Sequence, residues 1–363
     1  MQKDLSKRLL SAVLGWSVEE IEKYSQLIGN LAELKYDEYQ QYKPGSRFVE
    51  HLCAWLNQFD KGAERNIAFH FLLKNLVFIS ISEMHRLIET AYYECILPLF
   101  KDDAAVFCKE SGMEGCEQRI TELIKTKALF LAMSDGARID VLRRIARLDH
   151  EQVFVTYDLP EQKFTKIIAE ANKRVAKKET DAEVINKLPG GFGHIFLLDD
   201  FSGSGISYFR KENNKWHGKV NKVLDILEKE KIIGSDSDNK VKLHVILYLA
   251  TPKAKEKIKS EISRFYAKRK YTVIIDVQCV QAINQVTLNE DEEELFVKYY
   301  ARVKNEIEDS HYKKGNMDFP HHGFDNCGLA LVLYHNTPNN TFPIIWAGEN
   351  ALFRRVTRHK DVK

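Results

Sequence analysis

The sequence has no apolar run long enough to cross a bilayer. Its longest, "VILYLA" and "LALVLY", fall far short of the ~20 residues a spanning helix needs. It also lacks an excess of either charge: 54 Lys plus Arg face 52 Asp plus Glu, a formal +2. Nothing in the overall field therefore draws it to nucleic acid or anionic lipid, and nucleic acid is expected only through a partner. Cys53, Cys95, Cys108, Cys116, Cys279 and Cys327 form no CxxC pair, which sets aside a zinc ribbon or disulfide framework and predicts that most are reduced and buried. The opening "MQKDLSKRLLSAVLGWSVEE" contains no small-residue cleavage site, so a cytoplasmic protein is expected. Low-complexity tracts and internal repeats are missing too. What remains, 44% hydrophobic and 29% charged residues over 363 positions, is the balance of a globular chain with a substantial core, long enough for two domains.

The first ~110 residues read as helical. In "SVEEIEKYSQLIGNLAELKYDEYQQY", Ile21, Tyr24, Leu27 and Leu31 recur at helical spacing, and Ser17 with Glu20 forms a capping box. The pattern continues through "RFVEHLCAWLNQF" and "ERNIAFHFLLKNLVFISISEMHRLIETAYYECILPLF". A helical N-terminal domain over residues 1–115 and an α/β domain over 116–363 are expected. In the second, aliphatic runs at 128–133, 153–157, 194–198, 243–250, 272–280 and 329–334 alternate with helix-like segments. Five of the six lack clean alternation, the mark of strands buried on both faces. This rhythm predicts a parallel sheet flanked by helices on both faces. Ligands in such sheets bind beyond the carboxyl ends of the strands.

At one such end stands "HIFLLDDFSGSGISYFR" (194–210). Asp199 and Asp200 close an apolar strand, and Ser202, Gly203, Ser204, Gly205 and Ser207 are expected to lead into a helix. Amide hydrogens at a helix start, approached closely through glycine, suit a phosphate. Carboxylates would repel that phosphate, so they are assigned to vicinal hydroxyls. A ribose 5-phosphate unit satisfies both, with magnesium held through the ligand near Asp199 and Asp200. Competing motifs fail on their letters. No lysine stands where a Walker loop needs it, Tyr208 is too large for the third glycine of GxGxxG, and Ser202 and Ile206 flank Ser204 where a nucleophile elbow needs glycines.

"FLLDDFSGSGIS" resembles the ribose-phosphate signature of type I phosphoribosyltransferases: strand, two acids, then a Ser/Thr-Gly phosphate loop. The resemblance implies that Asp199 and Asp200 bind ribose and that Ser202, Gly203, Ser204, Gly205, Ile206 and Ser207 bind phosphate. The wider chain, over about residues 45–350, is similar to the phosphoribosyltransferase-like proteins of bacterial conflict and anti-phage systems, which pair a helical N-terminal part with this core. That similarity implies a type I phosphoribosyltransferase-like fold and a defence role with protein partners from the same operon, without naming the reaction; the first expectation is an enzyme that binds phosphoribosyl pyrophosphate with Mg2+ and transfers ribose phosphate to an acceptor. A non-catalytic nucleotide-sensing or assembly module using the same pocket is the alternative.

"AMSDGARID" (132–140) occupies the place where this fold class puts its pyrophosphate loop, so Ser134, Asp135, Gly136 and Arg138 are candidate pyrophosphate contacts. Simple helix capping by Ser134 or Asp135 explains the same letters, and Asp135 departs from an anion site. In "HNTPNN", Asn336, Asn339 and Asn340 are candidates for base or acceptor contact, or ordinary turn residues. Trp346 fits a stacking lid or the core. "HHGFDNC" invites a metal reading through His321, His322, Asp325 and Cys327. Adjacent histidines rarely converge on one ion, however, and a plain loop is expected. No nucleophile triad is evident, and no basic residue of a mobile catalytic loop is identified.

Overall fold

The computed structural model describes residues 2–60, 62–156, 164–233, 241–267 and 274–356. Nine strands occur among them: β1 (Val77–Ile79), β2 (Ala128–Ala132), β3 (Val153–Val155), β4 (His194–Ser202), β5 (Arg210–Glu212), β6 (Lys215–His217), β7 (Lys242–Ala250), β8 (Ile274–Ala282) and β9 (Leu331–Leu333). Two compact units result, residues 1–84 with 284–363, and residues 85–283. The boundary expected near residue 115 falls inside the second unit. No described helix is long and apolar enough to cross a membrane.

The first unit is largely helical, as the periodicity predicts. Ser17 caps the helix Val18–Leu34 in the expected box: Ser17 Oγ accepts from the Glu20 amide at 3.3 Å and Glu20 accepts from the Ser17 amide at 2.9 Å. Its buried stripe runs through Ile28 and Ala32, whereas Leu27 is exposed. Residues 77–79, expected to continue a helix, instead form β1. The preceding helix stops at Asn75, and Val77, Phe78 and Ile79 pair in parallel with Leu331, Val332 and Leu333 of β9. The run at 329–334 is thus a strand, but it belongs to this two-stranded sheet rather than to the main one. Tertiary pairing of β-branched and aromatic residues overrides local helical spacing here. Tyr36, Phe48, Phe78 and Phe353 stack edge and face around it at 4.6–5.9 Å.

The second unit carries the five-stranded sheet, in the order β3-β2-β4-β7-β8 and parallel throughout. Ile195 to Leu198 are fully buried, as a strand covered on both faces requires. One face carries Ile195, Leu197, Val245 and Leu247 against Val220, Leu224 and Leu227 of the helix Lys219–Lys229 and Ile258 and Ile262 of the helix Pro252–Tyr266. On the other face, Phe196 meets Phe100 of the helix Leu97–Glu110 at 5.5 Å. The α/β class with helices flanking a parallel sheet is therefore observed.

At the amino ends of β4 and β7 lies a buried polar chain. His194 Nε2 meets Asp103 at 3.0 Å, His194 Nδ1 meets His244 Nε2 at 3.1 Å, and Lys242 donates to Asp103 at 2.5 Å. Burial raises the Asp103 carboxyl, but His194 and Lys242 outweigh it and bring it down to about 2. Burial, aided by His194, takes His244 down to about 4. Cys108 and Cys116 form a disulfide with Cα atoms 6.2 Å apart, against the expectation of reduced thiols. The turn between them doubles back through Gly112 and Gly115, both at positive φ. The other four cysteines are not disulfide-bonded.

Candidate functional site

The chain steps from β2 out to β3, then returns past β2 to build β4, β7 and β8. Strand order reverses between β2 and β4, and the crevice outside the carboxyl ends at such a switch point is where ligands of these sheets bind. Two sequence candidates meet there. Ser134, just past β2, hydrogen-bonds through its hydroxyl to Asp199 near the end of β4. Ser134 therefore caps nothing with its side chain; it joins the two sides of the crevice.

The pair of acids is divided by the strand itself. β4 does not stop before them but continues to Ser202, and successive side chains of a strand point to opposite faces. Asp199 turns into the layer beneath the sheet and has no exposed surface, whereas Asp200 is partly exposed. Around Asp199 gather the Tyr208 hydroxyl at 2.6 Å, the Lys219 ammonium and the Ser134 hydroxyl. Burial pushes the Asp199 carboxyl up, with Lys219 and Ser134 pulling the other way. Burial works against charge on Lys219, yet Asp199 and Asp200 hold its ammonium above the ordinary range. Burial, then the charge of Asp199, drives the Tyr208 phenol far up, so it stays a donor. The two acids, expected to face one diol, thus stand on opposite faces of the strand: Asp199 is held by Lys219, Tyr208 and Ser134, and Asp200, partly exposed, accepts from the Phe201 amide at 2.9 Å.

The loop after β4 departs from expectation as well. No helix starts at Ser207. Gly203 to Phe209 form bends and turns, the hairpin β5–β6 follows, and the next helix begins at Lys219. Asn213 and Asn214 both take positive φ, 49° and 62°, the form a two-residue hairpin turn requires. The helix dipole thus does not act on this loop. Its amides remain: the N–H groups of Gly203, Ser204, Gly205 and Ser207 have no acceptor among the described residues. The buried Ser202 hydroxyl has none either. The Ile206 amide leans 3.4 Å from Ser204 Oγ. On its inner side the loop is packed tightly, since Gly205 has φ +74° and a Cβ there would stand 2.9 Å from the Ala254 carbonyl. Thr251 Oγ1 fastens the Gly203 carbonyl at 2.6 Å.

Of the remaining candidates, Asp135 is exposed and Gly136 half-buried in a short 3-10 turn, and Arg138, left-handed at φ 42°, chelates Asp140 at 3.0 and 3.2 Å. Asn336, Asn339 and Asn340 belong to the other unit. Asn336 Oδ1 accepts from the Val356 amide, the Asn339 carbonyl from the Phe324 amide, and Asn340 Nδ2 donates to the Phe324 carbonyl. Trp346 is core, its Nε1 donating to the Thr341 carbonyl at 2.7 Å. His321 and His322, expected as a plain loop, both direct Nε2 at one carboxylate, Glu293, at 2.5 and 3.0 Å.

Sequence reasoning missed Lys219 and Tyr208. Tyr208 was visible only as a letter too large for a dinucleotide loop, and Lys219 only as the first residue of an amphipathic helix. Neither signal says that the hairpin folds both back over Asp199.

No curated protein and no solved structure matches the chain. A family model does match, over residues 52–355, which include both sides of the crevice, the acidic pair and the loop; the chain belongs to the PRTase-CE family, the phosphoribosyltransferase-like proteins.

Proposed function

We propose that this chain binds phosphoribosyl pyrophosphate or a closely related ribose-phosphate ligand in the crevice between β2 and β4 and transfers ribose phosphate to an acceptor. One observation carries the reading: four loop amides and the buried Ser202 hydroxyl, beside a partly exposed carboxylate at a sheet switch point, have no partner among the described residues. Buried backbone N–H groups are almost always paired. A cluster of unpaired ones marks a place for an anion.

In this reading the amides of Gly203 to Ser207 hold the 5-phosphate and Asp200 accepts from a ribose hydroxyl. Asp199, clamped by Lys219, Tyr208 and Ser134, fixes the strand end that aims Asp200. The loop from Ser134 to Arg138 faces the pyrophosphate. Asp200 and Ser202 offer the hard oxygen donors that magnesium accepts, together with the ligand's own oxygens, and the ion would neutralise pyrophosphate charge. Catalysis then rests on positioning and on charge stabilisation of a ribose cation-like state, not on a protein nucleophile. We place the protein in the cytoplasm, as an anti-phage effector acting with proteins encoded beside it.

A non-catalytic sensing or assembly role is favoured by a different observation. Asp199 is buried and ion-paired to Lys219, so neither that acid nor that lysine is spare for a substrate. Calorimetry with phosphoribosyl pyrophosphate and magnesium, followed by a pyrophosphate-release assay over candidate acceptors, separates the two. Binding with release supports transfer, and binding without release under all acceptors supports sensing. Asp200→Asn removes no structural hydrogen bond of Asp199 and is expected to weaken binding at least tenfold. Unchanged affinity in that variant removes the ribose assignment.

A further inference from the structure

The structure assigns a second ligand site, in the unit that does not carry the five-stranded sheet: we infer that Glu293, His321 and His322 bind one divalent transition-metal ion of the zinc type. All three lie in the unit formed by residues 1–84 and 284–363. Their ligand atoms, one per residue, all fall within 4.8 Å of one another. Two imidazole nitrogens with one carboxylate is the donor set of zinc sites that keep a fourth position for water, and of related two-His-one-carboxylate centres.

The convergence is built by the backbone. Adjacent side chains meet here because Pro320–His322 is a turn of 3-10 helix, which sets the two rings edge to face at 4.5 Å. Gly323 ends that turn at φ +83°, and a Cβ there would stand 2.6 Å from the Asn340 carbonyl oxygen and 2.7 Å from that of Thr341. Only glycine allows this approach. The Gly328 amide holds the His322 carbonyl at 2.7 Å, and the Phe324 amide holds that of Asn339 at 2.7 Å. Glu293 is fixed independently, in the first turn of the helix Glu290–Ile307, whose start is locked by the Asn289 and Glu292 capping box.

Distances and surroundings both suit an ion. His321 and His322 stand 2.5 and 3.0 Å from the two oxygens of Glu293. Ligand atoms around tetrahedral zinc at ~2.0–2.1 Å are ~3.3 Å apart, so an ion enters by widening those contacts by less than ~1 Å. His321 is buried, and Phe342 lies 5.5 Å from the His322 ring, giving the site an apolar wall. Glu293 also lines a surface depression with Leu288, Asn289, Glu290, Glu294, Val297 and Lys298. The acidic first turn of that helix, Glu290 to Glu293, adds a field that draws cations.

The test is calorimetric titration of the chelator-treated full chain with Zn2+, and of the same protein with Co2+ followed by visible absorption. The expected result is one ion per chain, with cobalt d–d bands of a four- or five-coordinate site and no thiolate charge-transfer band. His321→Ala, His322→Ala and Glu293→Gln are each expected to weaken Zn2+ at least tenfold, about 1.4 kcal/mol. Glu293→Gln keeps an acceptor for the imidazoles, so its folding is expected to survive. The cobalt spectrum of the unaltered chain reads the ligand set without any variant. Absence of one-to-one binding, a thiolate band, or Zn2+ affinity unchanged by Glu293→Gln overturns the assignment and leaves a carboxylate hydrogen-bonded by two imidazoles. Binding of ribose phosphate in the other unit is expected to be unaffected by these variants, so the two readings fail separately.

Discussion

Replacing Lys219 by Met tests the central claim about the crevice, that Asp199 is a structural clamp. Asp199 has no exposed surface and accepts from Lys219, Tyr208 and Ser134. Removing one partner of a buried ion pair costs ~3–5 kcal/mol, because the other charge stays behind without its match. The Lys219 side chain is 35% exposed, so water already weakens the pair, and ~2–3 kcal/mol is expected. Hydrogen exchange of peptides covering β4 and the loop after it reads this locally, without assuming that two units unfold together. The loss also has a sign with pH. Without Lys219, burial dominates and the folded carboxyl lies further above its unfolded value. The folded state then binds the extra proton, and the variant's stability falls as pH rises through the raised value. Asp199→Asn/Lys219→Met removes both charges and is expected to cost less than the sum of the two single changes, with a coupling of ~1–2 kcal/mol in the double-mutant cycle. A loss below ~0.5 kcal/mol for Lys219→Met, or simple additivity in the cycle, refutes the clamp.

Other outcomes follow from the same contacts. His244, taken to about 4 by burial, binds its proton more readily when unfolded. Stability is therefore full above the ordinary histidine value of 6.5 and declines as pH falls toward 4, by up to ~3 kcal/mol. Urea unfolding at a series of pH values checks this, and His244→Leu is expected to flatten the decline over that window. Gly205→Ala pushes a methyl against the Ala254 carbonyl at positive φ and is expected to cost ~2–4 kcal/mol from backbone strain and overpacking; an unchanged unfolding midpoint contradicts the packed loop. Asp200→Asn should lower ligand affinity yet leave thermal stability within about 0.5 kcal/mol, a split that a merely structural Asp200 does not give.

The letters alone determined a good deal. Aliphatic runs of strand length at 128–133, 194–198 and 243–250 read as strands covered on both faces, and their alternation with helix-like segments pointed to a parallel sheet, which is observed. The Ser17 and Glu20 pair marked a helix start, because capping is a contact three residues long. An acidic pair and a glycine loop were legible at the end of an apolar strand run. Tertiary structure decided what local spacing cannot reach. Val77 to Ile79 became a strand through partners some 250 residues away, and the sixth apolar run went to that small sheet instead of the large one. Where β4 ended decided the fate of its acids. Had the strand stopped at Leu198, both carboxylates could have turned outward together; running on to Ser202, it sends Asp199 inward and Asp200 outward by the two-residue alternation of the pleat. Lys219, Tyr208 and Ser134 reach Asp199 from three separate segments, and Glu293 reaches two histidines from another helix. Such convergence depends on how elements pack, which no neighbouring residue in the chain records.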